Sequence, residues 1–179
     1  MRIGVPKEIK NHEYRAGLTP AGARVLAAAG HEVWIETRAG AAVGLDDAAY
    51  RAAGAQVVAT AAEVYAADLV IKVKELQPAE FALTHPGQIL FCYQHLAPAP
   101  ALLSAMLERN VSCVAYETVT AADGSLPLLT PMSEIAGRLA PQEFLMRKRV
   151  RVPWSAAVRC SGESGPRPKV PSCGTLLTS

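Results

Sequence analysis

Three side chains able to act on a small carboxylic acid lie just after apolar runs that are typical of β-strands. Arg15 follows the first run and its loop, Lys74 comes directly after the fourth run, and His95 follows the fifth. A guanidinium holds a carboxylate through two parallel hydrogen bonds, and an ammonium stabilises negative charge on a carbonyl oxygen. An imidazole exchanges a proton near neutral pH. Together these residue types indicate a site for a small anionic carbonyl compound.

Arg15 and His95 also have purely structural interpretations. Arg15 can form a surface ion pair with Glu13 or Glu8. His95 can be a histidine with its hydrogen bonds satisfied inside the fold, which is the commoner situation for a single histidine. The residue pattern by itself leaves both alternatives open.

Lys72 and Lys74 alternate along one predicted strand and would therefore face the same way. Lys74 is the better candidate because it lies nearer the carboxyl end of the strand. Alternatively, both ammonium groups reach solvent or pair with Glu75. Glu117 and Thr118 follow the sixth run, where we prefer a role in capping the next segment to one in lining the same crevice.

The elements that must position these residues alternate between strands and helices. Six apolar runs rich in Val, Ile, Leu and aromatic residues predict strands. Their ranges are Arg2–Val5, Glu32–Glu36, Gln56–Val58, Leu69–Val73, Gln88–Tyr93 and Ser112–Tyr116. Between them, the sequence predicts five helices. They begin at the capping residues Thr19, Asp46, Thr60 and Thr130 and at Pro100, and they end near Gly30, Gly54, Ala67, Ala140 and Arg109, respectively.

Such short connections predict an α/β fold with an open, mostly parallel sheet and helices on both faces. Ligands of such sheets bind beyond the carboxyl ends of the strands, which is where Arg15, Lys74 and His95 fall. The sequence contains no GxGxxG and no GxxxxGK[ST] pattern, so it shows no dinucleotide-phosphate cradle of its own. Its histidines share no ligand-like spacing, so we expect no metal site.

The composition argues against a membrane-spanning protein and against a secreted protein with disulfide bonds. The chain has 179 residues, is 50% hydrophobic and contains no apolar run long enough to span a membrane. The N-terminus turns polar after five residues, unlike a secretory signal. Four cysteines lack CxxC spacing, and Cys92 and Cys113 lie in apolar runs, which predicts buried free thiols in a cytoplasmic protein.

Charge divides the chain into two predicted regions. Residues 1–142 carry 11 basic and 14 acidic side chains, whereas residues 143–179 carry 7 basic and 2 acidic ones. The second region has no helical or strand periodicity and is rich in Pro, Ser, Gly and Arg, so we expect it to be poorly ordered. A nucleic-acid contact by this basic region is the weakest functional hypothesis, because no aromatic residues are interleaved with Arg147–Arg151.

Residues 1–142 closely resemble the N-terminal domain of bacterial alanine dehydrogenase. The resemblance rests on several blocks of sequence. They include MRIGVPKEIKN, YR at 14–15, LTPAG at 18–22, KVKE at 72–75, GQILF at 87–91, HLA at 95–97, AYETV at 115–119 and LLTPMSEIAGR at 128–138. The related domain of the nicotinamide nucleotide transhydrogenase α subunit is an alternative, but the HLA and YETV blocks match the dehydrogenase form.

The resemblance implies NAD-dependent oxidative deamination of L-alanine to pyruvate and ammonia. It implies that Arg15 and Lys74 bind substrate and that His95 is the catalytic histidine. Met132 and Ser133 would match a hinge region near the nicotinamide. The family is typically homohexameric and cytoplasmic, so the resemblance also implies a homo-oligomer.

The sequence departs from the family after Gln142. There the family continues with a glycine-rich connection into its NAD-binding domain, whereas this chain continues EFLMRKR and lacks that domain. We therefore expect a shifted reading frame or a truncation just after Gln142, and negligible turnover by the chain alone. A non-catalytic module that binds a 2-oxo acid or a protein partner is the alternative from another functional class.

Overall fold

The computed structural model describes residues 1–148. The chain divides into two units, Met1–Ser133 and Glu134–Ser179. The first contains the whole sheet. The second is described here only through the part of the last helix that lies in it.

The described residues contain six strands, which form one parallel sheet with the order β3-β2-β1-β4-β5-β6. Their bounds are β1 Arg2–Val5, β2 Glu32–Glu36, β3 Gln56–Val58, β4 Leu69–Ile71, β5 Ile89–Cys92 and β6 Ser112–Ala115. The chain crosses from one half of the sheet to the other between β3 and β4, so β1 and β4 are neighbours at the point where the strand order reverses. In sheets of this kind, that reversal opens a crevice at the carboxyl edge.

Within residues 1–148, six α-helices connect or follow the strands. They are α1 Pro20–Ala28, α2 Asp47–Ala52, α3 Ala61–Tyr65, α4 Pro78–Phe81, α5 Pro100–Glu108 and α6 Thr130–Lys148. Single 3₁₀ turns occupy Ala41–Val43 and Tyr116–Thr118. The fold therefore confirms the predicted α/β class and a sheet that is parallel throughout.

Two buried clusters lie on opposite faces of the sheet, as the alternation of side chains along the strands requires. Ile3 and Val5 of β1 pack with α1 and α2 in one cluster, while Val70 of β4 and Leu90 of β5 pack with α3 and α5 in the other. At Gly4, between Ile3 and Val5, an added Cβ would lie 2.4 Å from the Val64 carbonyl oxygen of α3. Helices therefore cover both faces.

Most helix starts follow from local hydrogen bonding. The Thr19 side chain accepts from the Gly22 N–H, and that of Asp46 accepts from the Ala49 N–H. Thr60 and Glu63 form a reciprocal capping box. The start of α6 differs from the prediction, because Thr130 is itself helical and donates its hydroxyl to the Leu126 carbonyl at 2.9 Å.

Two further predictions need correction. Helix α6 continues through Pro141 to Lys148 instead of ending near Ala140. Cys92 is buried but Cys113 is exposed, because β6 is an edge strand. The short helix α4 was not predicted. The proposed boundary after residue 142 falls within α6. The last segment was expected to be poorly ordered; from residue 149 onward it lies outside the described residues.

Candidate functional site

A cavity of about 340 Å³ lies at the carboxyl edge of the sheet, within the first unit. It is lined by segments that follow β1, β4, β5 and β6, and by residues just before and within the start of α6. The lining residues are Arg15, Ala16, Gly17, Val73, Phe91, Tyr93, Tyr116, Leu128 and Met132. An apolar, aromatic wall with a single cation suits a small anionic ligand.

Arg15 is held at the cavity by Glu13. The Arg15 Nε–H donates to Glu13 Oε1 at 2.8 Å, and Nη2 donates to Oε2 at 2.6 Å. The remaining nitrogen, Nη1, lies 3.6 Å from the Sδ atom of Met132, which is a weak acceptor. The hydrogen bonds from Arg15 lower the pKa of the Glu13 carboxyl to about 2, and the nearby Lys74 ammonium contributes in the same direction.

The loop that carries Arg15 is brought against the end of β4 by Gly17. A Cβ added at Gly17 would lie 2.6 Å from the Ile71 carbonyl oxygen, so only glycine permits this approach. The same loop is also tied to β4 by Glu8, whose Oε1 accepts from the N–H groups of Val73 at 2.7 Å and Lys74 at 3.3 Å. The position of Arg15 therefore depends on contacts between distant parts of the chain.

Lys72 is a buried structural residue. Its ammonium lies 2.6 Å from Glu80 Oε1 and 3.4 Å from Glu8 Oε2, and its side chain is 1% exposed. Burial raises the pKa of the Glu8 carboxyl, although Lys72 and the backbone donors oppose that effect. The alternative that both lysines reach solvent or pair with Glu75 is therefore wrong for Lys72.

Lys74 is half-buried and lies close enough to the Glu13–Arg15 pair to lower the pKa of Glu13. Glu75, the alternative partner considered for Lys74, instead forms an ion pair with Lys10. Among the described residues, no acceptor lies within hydrogen-bond distance of the Lys74 ammonium. It is therefore a cation available beside the cavity, although it does not line it.

His95 adjoins the cavity through Tyr93. Its ring stacks on the Tyr93 ring with centroids 6.1 Å apart and an angle of 12° between the planes. Its backbone has a φ of +45°, in the left-handed region. The Glu117 carboxylate, from the turn after β6, accepts the His95 N–H at 2.9 Å. His95 is exposed and does not itself line the cavity.

Aromatic rings form the wall beside β5 and β6. Tyr116 packs edge-to-face against Phe91 at 4.4 Å and against Tyr93 at 5.0 Å, and the Tyr93 hydroxyl donates to the Leu128 carbonyl. Burial raises the pKa of the Tyr116 hydroxyl, so this ring stays neutral. Sequence reasoning missed both tyrosines as wall residues, although each is the last residue of a predicted strand and so lies at the carboxyl edge where His95 was expected.

The structure thus brings part of the predicted set together. Arg15 and Met132 line one cavity, and Lys74 and His95 adjoin it through Glu13 and Tyr93. Ser133 is exposed and is absent from the cavity wall. The structural alternative for Arg15 is also realised, since its partner is Glu13.

The described residues offer neither a metal-binding cluster nor a membrane-spanning helix. No group of three or more His, Cys, Asp or Glu side chains in the described part of the chain is arranged to hold a metal ion. Within residues 1–148, none of the helices combines the length and apolar character needed to cross a membrane.

Comparison with known proteins identifies the family. The family model "Alanine dehydrogenase/PNT, N-terminal domain" matches residues 4–136. The chain belongs to this family. The alanine dehydrogenase of Methanococcus maripaludis is 56% identical over 143 residues, which cover 79% of this chain and 38% of that protein. The alanine dehydrogenase of Mycobacterium tuberculosis is 52% identical over the same length, with the same shares covered.

Solved structures of the alanine dehydrogenase/PNT family agree with this assignment. A structure titled L-alanine dehydrogenase matches with a TM-score of 0.76 and 51% identity, covering 83% of this chain and 42% of that chain. The transhydrogenase from Sinorhizobium meliloti matches with a TM-score of 0.62 and 25% identity, covering 65% and 35%. The resemblance to alanine dehydrogenase is confirmed and is closer than that to the transhydrogenase. The chain spans about 38% of the length of the curated relatives named here.

Proposed function

We propose that this chain is the substrate-binding part of an NAD-dependent alanine dehydrogenase, and that its cavity takes pyruvate or L-alanine. The observation that carries the proposal is the set of hydrogen-bond partners of the Arg15 guanidinium. Glu13 occupies Nε and Nη2, while in the described part of the chain the one acceptor for Nη1 is the thioether sulfur of Met132. A substrate carboxylate is a far stronger acceptor than this sulfur and would replace it.

Arg15, Lys74 and His95 would each have a different chemical role. Arg15 would hold the carboxylate and Lys74 would stabilise negative charge on the carbonyl oxygen. His95 would give or take the proton when water adds to the imino acid. The aromatic wall of Tyr93 and Tyr116 would exclude water on one side of the ligand and so strengthen these electrostatic contacts. Met132 and Ser133, at the start of α6, remain our candidates for the hinge near the nicotinamide.

NAD itself does not fit the residues described here. Although the strand order is that of dinucleotide-binding sheets, β1 is followed by Pro6, Lys7 and Glu8 instead of closely spaced glycines. We therefore assign NAD to the activity of the family. Family membership also supports a homo-oligomer, a hexamer in the family, in the cytoplasm.

Ligand titration of the complete chain tests the proposal. Backbone amide NMR shifts are followed with pyruvate, with acetate (which lacks the ketone) and with acetone (which lacks the carboxylate). We expect pyruvate to bind at least tenfold more tightly than either fragment, with the largest shifts at Ala16, Gly17 and Tyr93. R15K should weaken pyruvate binding about tenfold, because lysine cannot form the two-pronged contact, a loss of roughly 1.4 kcal/mol.

The matched control is R24K, at an exposed position on α1 outside the cavity wall. It should bind pyruvate as the unmodified chain does. Equal affinity for pyruvate and acetone, or an R15K chain indistinguishable from R24K, would overturn the proposed site.

A further inference from the structure

His95 has a backbone conformation that the surrounding structure must maintain. Its φ of +45° lies in the left-handed region, which residues with a Cβ rarely occupy and which costs on the order of 1 kcal/mol. No glycine or tight hairpin accounts for it: the residue lies in the loop between β5 and α5. Some contact must therefore offset the strain.

The Glu117 carboxylate provides that contact. Its Oε1 accepts from the His95 N–H at 2.9 Å and from the Gln94 N–H at 3.0 Å, while Oε2 lies 3.2 Å from the same Gln94 nitrogen. Bonds from two consecutive N–H groups to one carboxylate are charge-assisted and fix the direction of the backbone. Although burial opposes it, the backbone bonds keep the pKa of Glu117 below its ordinary value, so the anchor is ionised at neutral pH.

The ring of His95 is held by a second contact. It stacks on Tyr93, which lines the cavity and packs against Tyr116, the residue next to Glu117. The neighbouring Gln94 is buried, with 1% of its surface exposed. The backbone anchor and the ring contact together aim one imidazole toward the cavity edge. Glu117 itself is not part of the cavity wall.

We propose that Glu117 is a positioning residue: it holds the backbone of His95 in the left-handed conformation and thereby sets the imidazole beside the 2-oxo acid site. The inference deepens the proposed function and rests on it for the identity of the ligand. Glu117 acts through His95 and does not touch the substrate. A carboxylate that only capped the 3₁₀ turn Tyr116–Thr118 would leave the His95 ring unaffected by its removal.

The test compares E117Q with E108Q in the complete chain, since Glu108 is an exposed glutamate at the end of α5. NMR follows three quantities: hydrogen exchange of the Gln94 and His95 amides, the ring-proton shifts of His95 and pyruvate affinity. In E117Q we expect amide exchange to accelerate at least tenfold. The His95 ring shifts should move toward those of an unstructured peptide as the contact with Tyr93 loosens, and pyruvate affinity should fall three- to tenfold. E108Q should change none of them.

The readouts separate the two proposals. If the unmodified chain fails to bind pyruvate but E117Q still alters amide exchange and ring shifts, the proposed function fails and the positioning role stands. If pyruvate binds and E117Q leaves the His95 shifts as in E108Q, the positioning role is overturned. Should E117Q not fold, the unmodified chain decides: the Gln94 and His95 amide shifts must follow the titration of the Glu117 carboxyl, and independence from it would overturn the inference.

Discussion

At the scale of single residues, the Arg15–Glu13 pair determines how the cavity presents its cation. The Glu13 side chain is 6% exposed and that of Arg15 is 45% exposed, so the carboxylate lies inside and the guanidinium reaches outward. Glu13 fixes one edge of the guanidinium and leaves Nη1 in the cavity wall. An arginine held in this way loses less side-chain freedom when a ligand binds, which favours affinity.

This pair predicts an acid-dependent part of the stability. Hydrogen bonds from Arg15 depress the pKa of Glu13 from 4.5 to about 2, so folding is stabilised by the ionised carboxylate above pH 4.5. That contribution is lost as the pH falls toward 2. Because water screens the half-exposed Arg15, we expect E13Q to lower the free energy of unfolding by only about 1 kcal/mol at pH 7.

Urea unfolding at pH 7, 4 and 2.5 measures the effect. The difference between the unmodified chain and E13Q should shrink steadily with decreasing pH, whereas E108Q should show a small and constant difference. A gap between the unmodified chain and E13Q that widened in acid would contradict this account.

At the scale of elements, Lys72 joins three segments that the sequence separates. Its ammonium contacts Glu8 in the loop after β1 and Glu80 in α4, and Lys72 itself follows β4. Glu80 also caps α4 by accepting the Gln77 N–H at 2.7 Å. This buried cluster fixes the base of the loop that carries Arg15, and so connects the packing of the fold with the geometry of the site.

Removing the buried ammonium should be costly. K72M leaves two carboxylates buried without their partner, and we expect the free energy of unfolding to fall by about 3–5 kcal/mol in urea titrations. K7M, at an exposed lysine of the same loop, should change it by less than about 0.5 kcal/mol. Neutralising both acids in E8Q/K72M/E80Q should recover most of the loss. A K72M chain as stable as K7M would show that the cluster does not support the fold.

The sequence predicted elements better than it predicted the partners of polar residues. Three strands, β1 to β3, begin and end at the predicted residues, and the capping box of α3 is present, because these features depend on local patterns. Lys72 was misjudged because its partners lie 64 residues before it and 8 after it, at Glu8 and Glu80, a pairing that no local pattern reveals. Cys113 was misjudged because apolar residues also occur on edge strands, and only the strand order identifies an edge.

In the candidate site, too, the sequence predicted where residues lie better than it predicted which residues they contact. The positions of Arg15, Lys74 and His95 near the carboxyl edge follow from strand order alone, and the structure places all three in or beside one region. Of their immediate partners, Glu13 was considered for Arg15 because it is nearby in the sequence, whereas Tyr93 was predicted only as the end of a strand and Glu117 only as a cap. Side-chain direction at a strand end depends on these tertiary contacts, so sequence reasoning indicated the region and missed the wall.

At the scale of the whole molecule, the described sheet offers residues for binding a 2-oxo acid but no glycine-rich turn for the dinucleotide that hydride transfer needs. The residues that would bind a 2-oxo acid occupy the crevice at the carboxyl edge, while none of the loops after β1 to β6 carries the glycine spacing that cradles a dinucleotide phosphate. Hydride transfer requires the nicotinamide within reach of the substrate carbon, so binding of the acid is not sufficient for turnover.

We therefore expect the complete 179-residue chain to bind pyruvate and yet leave NADH unoxidised in the presence of pyruvate and ammonium. The measurement is absorbance at 340 nm beside the pyruvate titration on the same sample, with the Mycobacterium tuberculosis alanine dehydrogenase as the active control. That control must consume NADH under the same conditions, which shows that the assay itself works. NADH consumption by this chain above the rate without pyruvate would mean that it positions the nicotinamide through residues other than a glycine-rich turn. The separation of binding from hydride chemistry argued from the sheet would then be wrong, although the assignment of Arg15 would survive if R15K slowed that reaction more than R24K.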